Sequence, residues 1–208
     1  MELRSDDFND GERLPVRFAA GRPDGSGRAV FSDNVNPHLA WSDVPDGTRS
    51  FVLICHDPDV PSRGDDVNQP KREVPADLPR VDFFHWTMVD LPGTLREIAR
   101  GEFSDGFMPR GKPGPATLHG ARHGLNDFTG WFATDPTLGG HYFGYDGPFP
   151  PFNDAIEHRY VFTLYALSVR KLAVEGNFTG PQARAAMSPH VIGEAAITAT
   201  YTLNPRLL

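Results

Sequence analysis

Three short stretches place ionisable side chains where apolar strand sequence would otherwise continue. The first is His56-Asp57-Pro58-Asp59-Val60-Pro61-Ser62-Arg63, in which two carboxylates bracket a proline. Proline fixes its own φ and biases the preceding residue toward extended conformations, so Asp57 and Asp59 have few orientations open to them. The same spacing also serves an ordinary turn, because aspartate before proline is a common turn initiator. The second stretch is Phe83-Phe84-His85-Trp86; in an extended chain His85 shares a face with Phe83, Thr87 and Val89. An imidazole in such surroundings is costly to bury unless its ring nitrogens are paired, so an acceptor such as a carboxylate is expected beside it. The third is His158-Arg159-Tyr160. The period of two puts His158 and Tyr160 on one face and Arg159 on the other, so an imidazole and a phenol can line one cavity.

Two imidazoles, a phenol and two carboxylates are able to bind a small ion, exchange protons or hold a metal, for which the ligands would be Asp57, Asp59, His85 and His158. The chain contains no HExxH, no paired cysteine ligands and no Gly-x-Ser-x-Gly elbow. Cys55 lies in an apolar run, where it reads as a small hydrophobe and not a nucleophile. These absences weigh against a catalytic site, so no catalytic residue, metal or cofactor is expected. A hydrolase or metal-assisted acid–base enzyme using the same His, Asp and Tyr residues is the alternative.

Strands must position these groups. Residues 50–56 are continuously apolar from Phe51 to Cys55, as expected of a central strand, and should stop at Asp57-Pro58. Residues 83–91 form a second strand ending at Pro92. The chain is organised around residues 139–169, where a turn rich in Gly, Pro and aromatics leads into an alternating strand from Tyr160 onward. Tyr160, Phe162, Leu164 and Ala166 share one face and Val161, Thr163, Tyr165 and Leu167 the other, which predicts burial on both sides. Pro148, Pro150 and Pro151 lack amide hydrogens, so the turn stays outside the ladder as a rigid wall. Residues 62–82 read as a long polar loop, of the kind that is usually functional. Elsewhere the pattern predicts a short strand at 14–18 and a helical turn at 94–100. It also predicts two short helices at 182–187 and 190–197 separated by Pro189, the first capped by Thr179 with Gln182, and a closing strand at 198–203.

The 208 residues contain 21 Gly and 20 Pro against 39% hydrophobic residues, which favours strands and turns within one domain spanning residues 1–208. The formal charge of -7, with no dense basic cluster, excludes a phosphate-backbone tracker, so no nucleic-acid partner is expected. No apolar run reaches membrane-spanning length, and the N-terminal residues lack a signal-peptide pattern. A single cysteine excludes an internal disulfide and fits a reducing compartment, so the expected location is cytoplasmic.

In combination the motifs are more specific. DPDVPSR, then HW on a strand, then YDGPFPP followed by HRYVFTLYAL, resemble the phosphatidylethanolamine-binding protein family, whose members are also described as Raf-kinase-inhibitor-like proteins. The resemblance runs from Asn34 to Val169, with a compatible tail to Tyr201. It implies a mainly β fold: a large antiparallel sheet packed with a smaller one, plus a few short peripheral helices. It also implies a pocket at one end of the sheet for a phosphate or phosphoryl head group. Carried over motif by motif, Asp57, His85, His158 and Tyr160 would bind the ligand, and the YDGPFPP loop (residues 145–151) would supply a wall, with Tyr145, Gly147 and Pro148 among the ligand-binding residues.

Asp59, Pro61 and Arg63 would shape the loop, Asp59 and Arg63 as an ion pair. Two anions repel, so Asp57 should accept from an imidazole N–H or meet a cationic ligand group. An anion held by two imidazoles should bind more strongly as pH falls. Partners implied by the resemblance are the small phosphorylated ligand, a protein such as a kinase, and a second copy of the chain, since some bacterial and archaeal members resemble homodimers. On a further reading, the 62–82 loop is itself a protein-contact surface. Two departures stand out: that loop is longer than in compact bacterial-type members, and FNDAIE precedes HRY where small residues are more usual. Both fall near the pocket rim.

Overall fold

The computed structural model describes residues 1–25 and 28–208. Among them the strands are β1 (Glu2–Arg4), β2 (Gly21–Pro23), β3 (Ala29–Phe31), β4 (Leu39–Ser42), β5 (Ser50–Pro61), β6 (Arg80–Pro92), β7 (Glu97–Ile98), β8 (Arg122–His123), β9 (His158–Leu167) and β10 (Val191–Tyr201). Two short helices, α1 (Phe128–Trp131) and α2 (Gly180–Met187), lie at the periphery. The large sheet has the order β10-β9-β5-β6-β8, a smaller one the order β1-β4-β7, and β2 pairs with β3. The pairings are antiparallel throughout these sheets. The fold is thus mainly β, with a large antiparallel sheet, smaller sheets and few helices.

The continuous apolar run of β5 is explained by what covers it on each face. Phe51, Leu53 and Cys55 pack with Trp86, Met88, Phe162 and Leu164, and with Leu39, Trp41 and Ile98 from the small sheet. Val52 and Ile54 face the other way, onto Phe84, Phe178, Ala183 and Met187. On β9 the inner face is buried as its alternation requires, whereas Val161 and Tyr165 on the outer face are only half-buried.

The expected strand end at Asp57-Pro58 is overturned, because β5 continues to Pro61. The ladder slips between Asp57, opposite Phe83, and Val60, opposite Val81. Pro58 therefore sits at an irregularity where no amide hydrogen is demanded. Residues 14–18 are not a strand: Val16–Phe18 form a single 3-10 turn after Pro15, while Leu14 is buried. The helical turn expected at 94–100 is replaced by β7, which pairs Ile98 with Leu39. The helix predicted at 190–197 is also absent. A 3-10 turn (Ser188–His190) follows α2, and β10 then runs against β9 from Val191 to Tyr201. Pro189 and Gly193 weaken helix there, and burial of Ile197, Ala199 and Tyr201 on one strand face supplies the competing term. The capping box before α2 is present, with the Thr179 amide donating to the Gln182 side chain at 2.9 Å.

Candidate functional site

The ends of β5, β6 and β9 converge on a cavity of about 460 Å³. Its wall is apolar and largely aromatic: Phe31, Phe83, Phe128, Trp131, Phe132 and Phe149 contribute, with Val60, Pro61, Pro150 and Pro151. Gly64, Val67 and Asn68 of the long loop also line it. The polar groups among the lining side chains are concentrated in Asp57, His85, His158 and Tyr160. The register that pairs β5 with both β6 and β9 brings these residues together.

Asp57 is buried, and its two oxygens are engaged on the protein side. The amide of Asp59 donates to Oδ1 at 2.7 Å, and His158 Nδ1 donates to Oδ2 at 2.7 Å. The other nitrogen of His158, Nε2, lies 3.1 Å from Asp154 Oδ2. With a carboxylate on each nitrogen the ring is an imidazolium. Burial alone would lower its pKa, but the hydrogen bonds to Asp154 and Asp57 outweigh burial and push it up to about 9. Asp154 in turn receives a two-pronged contact from the Arg80 guanidinium, at 2.6 and 3.0 Å. Although burial would raise its pKa, the bonds from His158 and Arg80 hold the Asp154 carboxyl below its ordinary range. Asp57, His158, Asp154 and Arg80 therefore form a buried quartet of alternating sign that sums to zero, the condition under which buried charge is tolerated.

His85 is buried on the other side of the floor, with its ring 5.1 Å from Tyr160 and 4.9 Å from Phe83. Its Nδ1 lies 2.8 Å from the Asp146 carbonyl oxygen, which accepts only, so Nδ1 carries the hydrogen. The expected acceptor is thus present but is a backbone carbonyl and not a carboxylate. Burial holds the ring's pKa below its ordinary value despite the Asp57 charge, which leaves Nε2 a bare acceptor at neutral pH. The side chain of Asp146 is clamped by Asn34 at 2.7 Å, Lys112 at 2.6 Å and Asn126 at 2.7 Å, so the carbonyl that sets the tautomer is fixed. Tyr160 is fully buried, with its hydroxyl beside the Asp57 carboxylate. Burial first, then the Asp57 charge and the contact with that carboxylate, push its pKa well above 10, so it remains a donor.

Asp57, His85, His158 and Tyr160 are brought together as the sequence predicts. Tyr145, Gly147 and Pro148 do not line the cavity; they build the turn from behind. The Tyr145 hydroxyl donates to the Phe18 carbonyl at 2.6 Å, the Gly147 amide to Asn34 Oδ1 at 2.8 Å, and the Pro148 carbonyl accepts from Ala20 and Gly21 at 3.0 Å. The loop does supply a wall, through Phe149, Pro150 and Pro151. Asp59 pairs with Arg159, at 2.9 and 2.8 Å, and not with Arg63, which lies 3.9 Å from Asp65 at the surface. Pro61 ends β5 and lines the cavity. Among the described residues no group of three or more His, Cys, Asp or Glu is arranged to hold a metal. The sequence reading missed Asp154, Arg80, Asp146 and Lys112. Asp154 lies within FNDAIE and Asp146 within YDGPFPP, so both were inside motifs already singled out.

Fold and site together define a β protein with a ligand-sized cavity at one end of its main sheet. The chain belongs to the phosphatidylethanolamine-binding protein family, whose sequence profile matches residues 4–202. It is 31% identical over 202 residues to the UPF0098 protein YbhB of Escherichia coli, covering 97% of this chain and 100% of that one. A UPF0098 protein of Aquifex aeolicus is 29% identical over 97% of this chain and 88% of its own length. Among solved structures, E. coli YbcL, described as a new member of the mammalian PEBP family, superposes with a TM-score of 0.68 at 27% identity, covering 97% of both chains. A putative PEBP homologue from Chlamydia trachomatis gives 0.63 at 28% identity, covering 96% of this chain and 95% of that one. Among the described residues no helix is long and apolar enough to cross a membrane.

Proposed function

We propose that this chain binds a small amphiphilic molecule, with its apolar body against the aromatic wall and a phosphoryl or similar oxyacid head on the polar floor. The observation that carries this reading is the grouping of the Tyr160 hydroxyl, the Asp57 carboxylate and the open Nε2 of His85 at the base of a mainly apolar, aromatic cavity. A hydroxyl donor next to an imidazole acceptor fits a head group that both accepts and donates. A singly protonated phosphoryl group does so: one oxygen takes the Tyr160 hydrogen and its P–OH donates to His85 Nε2 or to Asp57. A dianion would lack the donor and would face Asp57 directly.

His158 is not part of this donor set, since both its nitrogens are bound by carboxylates. The stronger binding expected at low pH therefore comes from the proton carried in by the ligand or taken up by His85, not from charging His158. Calorimetric titration of phenyl phosphate and of inorganic phosphate at pH 6 and pH 8 tests this. The second pKa of a phosphate monoester is about 6, so phenyl phosphate's affinity should fall roughly 50-fold between these values, and that of inorganic phosphate, a weaker acid at that step, by less. Phenyl phosphate should bind more tightly than inorganic phosphate because of its ring, and Tyr160→Phe should weaken it by about tenfold or more. Absence of binding at pH 6, or equal affinity of the wild type and Tyr160→Phe, would overturn the reading.

A further inference from the structure

Asp154 lies four residues before His158, in the FNDAIE segment that leads into β9. Its carboxylate closes off His158 Nε2 and is itself held by Arg80, whose guanidinium also donates to the carbonyls of Asp59 and Pro75. Resting on the oxyacid reading above, we propose that Asp154 is a positioning residue that locks His158 as an imidazolium with no N–H free for the ligand and brings the charge at and behind the cavity floor to zero. The floor then accepts a phosphoryl head only with its extra proton.

The charges around His158 support this balance. From β5 come Asp57 and Asp59, and from β6 Arg80 and His85; on its own strand β9 are Arg159 and Tyr160. Asp59 is offset by Arg159 at 2.8 Å, while His85 and Tyr160 are neutral at pH 7. The balance thus falls on Asp57, His158, Asp154 and Arg80. Replacing Asp154 with asparagine keeps an acceptor for Nε2 and nearly the same volume but leaves the group one unit positive. Replacing Arg80 with glutamine leaves it one unit negative. The two changes disrupt the same contact yet shift the floor's charge in opposite directions, which a merely structural role would not do.

The experiment titrates phenyl phosphate into wild type, Asp154→Asn and Arg80→Gln at pH 6 and pH 8, and follows the His158 ring carbons by NMR from pH 6 to 9 in each. Asp154→Asn should bind phenyl phosphate about tenfold more tightly than wild type at pH 6, where its His158 is still charged, and lose that gain by pH 8 as His158 titrates, whereas Arg80→Gln should bind more weakly at both pH values. His158 should stay an imidazolium to beyond pH 8 in the wild type and titrate at lower pH in Asp154→Asn. PH-dependent binding by the wild type that Asp154→Asn reproduces unchanged would overturn this inference and leave the oxyacid reading standing. No binding by the wild type would remove the oxyacid reading, and the NMR titration would still decide the lock: a His158 that titrates near 6.5 in the wild type sinks it. If Asp154→Asn does not fold, the Arg80→Gln titration and the wild-type NMR curve carry the same decision.

Discussion

The buried His158 makes a signed prediction about stability against pH. Its pKa in the folded protein is raised to about 9 from an ordinary 6.5. A raised pKa means the folded state holds a proton that the unfolded chain releases, so the stabilisation is fully present below pH 6.5 and is lost as pH climbs through 9. Between pH 7 and 8.5 the unfolded ring is already neutral while the folded one is still mostly charged. Over that window the loss works out at about 2 kcal/mol, from 1.36 kcal/mol per pH unit of differential proton binding. This window avoids the main contributions of the depressed histidines, which lie below 6.5, and of the buried Cys55 thiol, which set in only as pH nears the unfolded thiol's ordinary 9.0. Urea unfolding at pH 7, 7.5, 8 and 8.5 measures it, with His158→Gln as the reference. The wild-type midpoint should move down steadily while that of His158→Gln stays nearly flat, whatever its absolute stability. A flat wild-type curve, or parallel slopes for the two proteins, would refute the paired-imidazolium account.

The acid side has the opposite sign. His123 is buried with its pKa lowered to about 3, by burial first and then by the Lys112 charge, and its Nδ1 accepts from the Trp86 indole at 3.3 Å. Stability should therefore fall as pH drops from 6.5 toward 3, and His123→Phe should show a shallower acid limb in urea unfolding at pH 6, 5 and 4. Gly147→Ala should destabilise by about 2 kcal/mol or more, because a Cβ there would sit 2.0 Å from the Phe18 carbonyl oxygen and 2.8 Å from the Tyr145 hydroxyl. The readout is the urea midpoint, and a change below 0.5 kcal/mol would mean the turn relaxes freely.

The strands that carry the site were legible because their sequences obey one rule over enough residues. The apolar run at Phe51–Cys55 and the alternation from Tyr160 leave no other way to bury both faces. The errors came where two rules compete. Proline at 58 reads as a stop, yet a ladder slip removes the hydrogen bond it cannot make, so β5 continues. Residues 190–197 contain Ala, Glu and Ile, which suit a helix locally, but pairing with β9 over the length of β10 decides the outcome. Tertiary pairing of that kind has no local signature.

The polar residues divide in the same way. Asp57, His85, His158 and Tyr160 were recoverable because each interrupts an apolar strand, and a side chain of that kind needs a compensating partner. The partners themselves were harder to name, because they come from distant segments: Arg80 lies 74 positions from Asp154, and Asn34 lies 112 positions from Asp146. Chemical reasoning gave the type of contact for Asp57, an imidazole N–H, without revealing that a second carboxylate waits on the other nitrogen. That second carboxylate changes the meaning of the histidine. With one partner His158 would keep a free N–H; with two it is a fixed internal cation with both nitrogens engaged. A carboxylate in the approach to a strand can thus fix the protonation of a histidine within the strand motif, which the motif alone does not reveal.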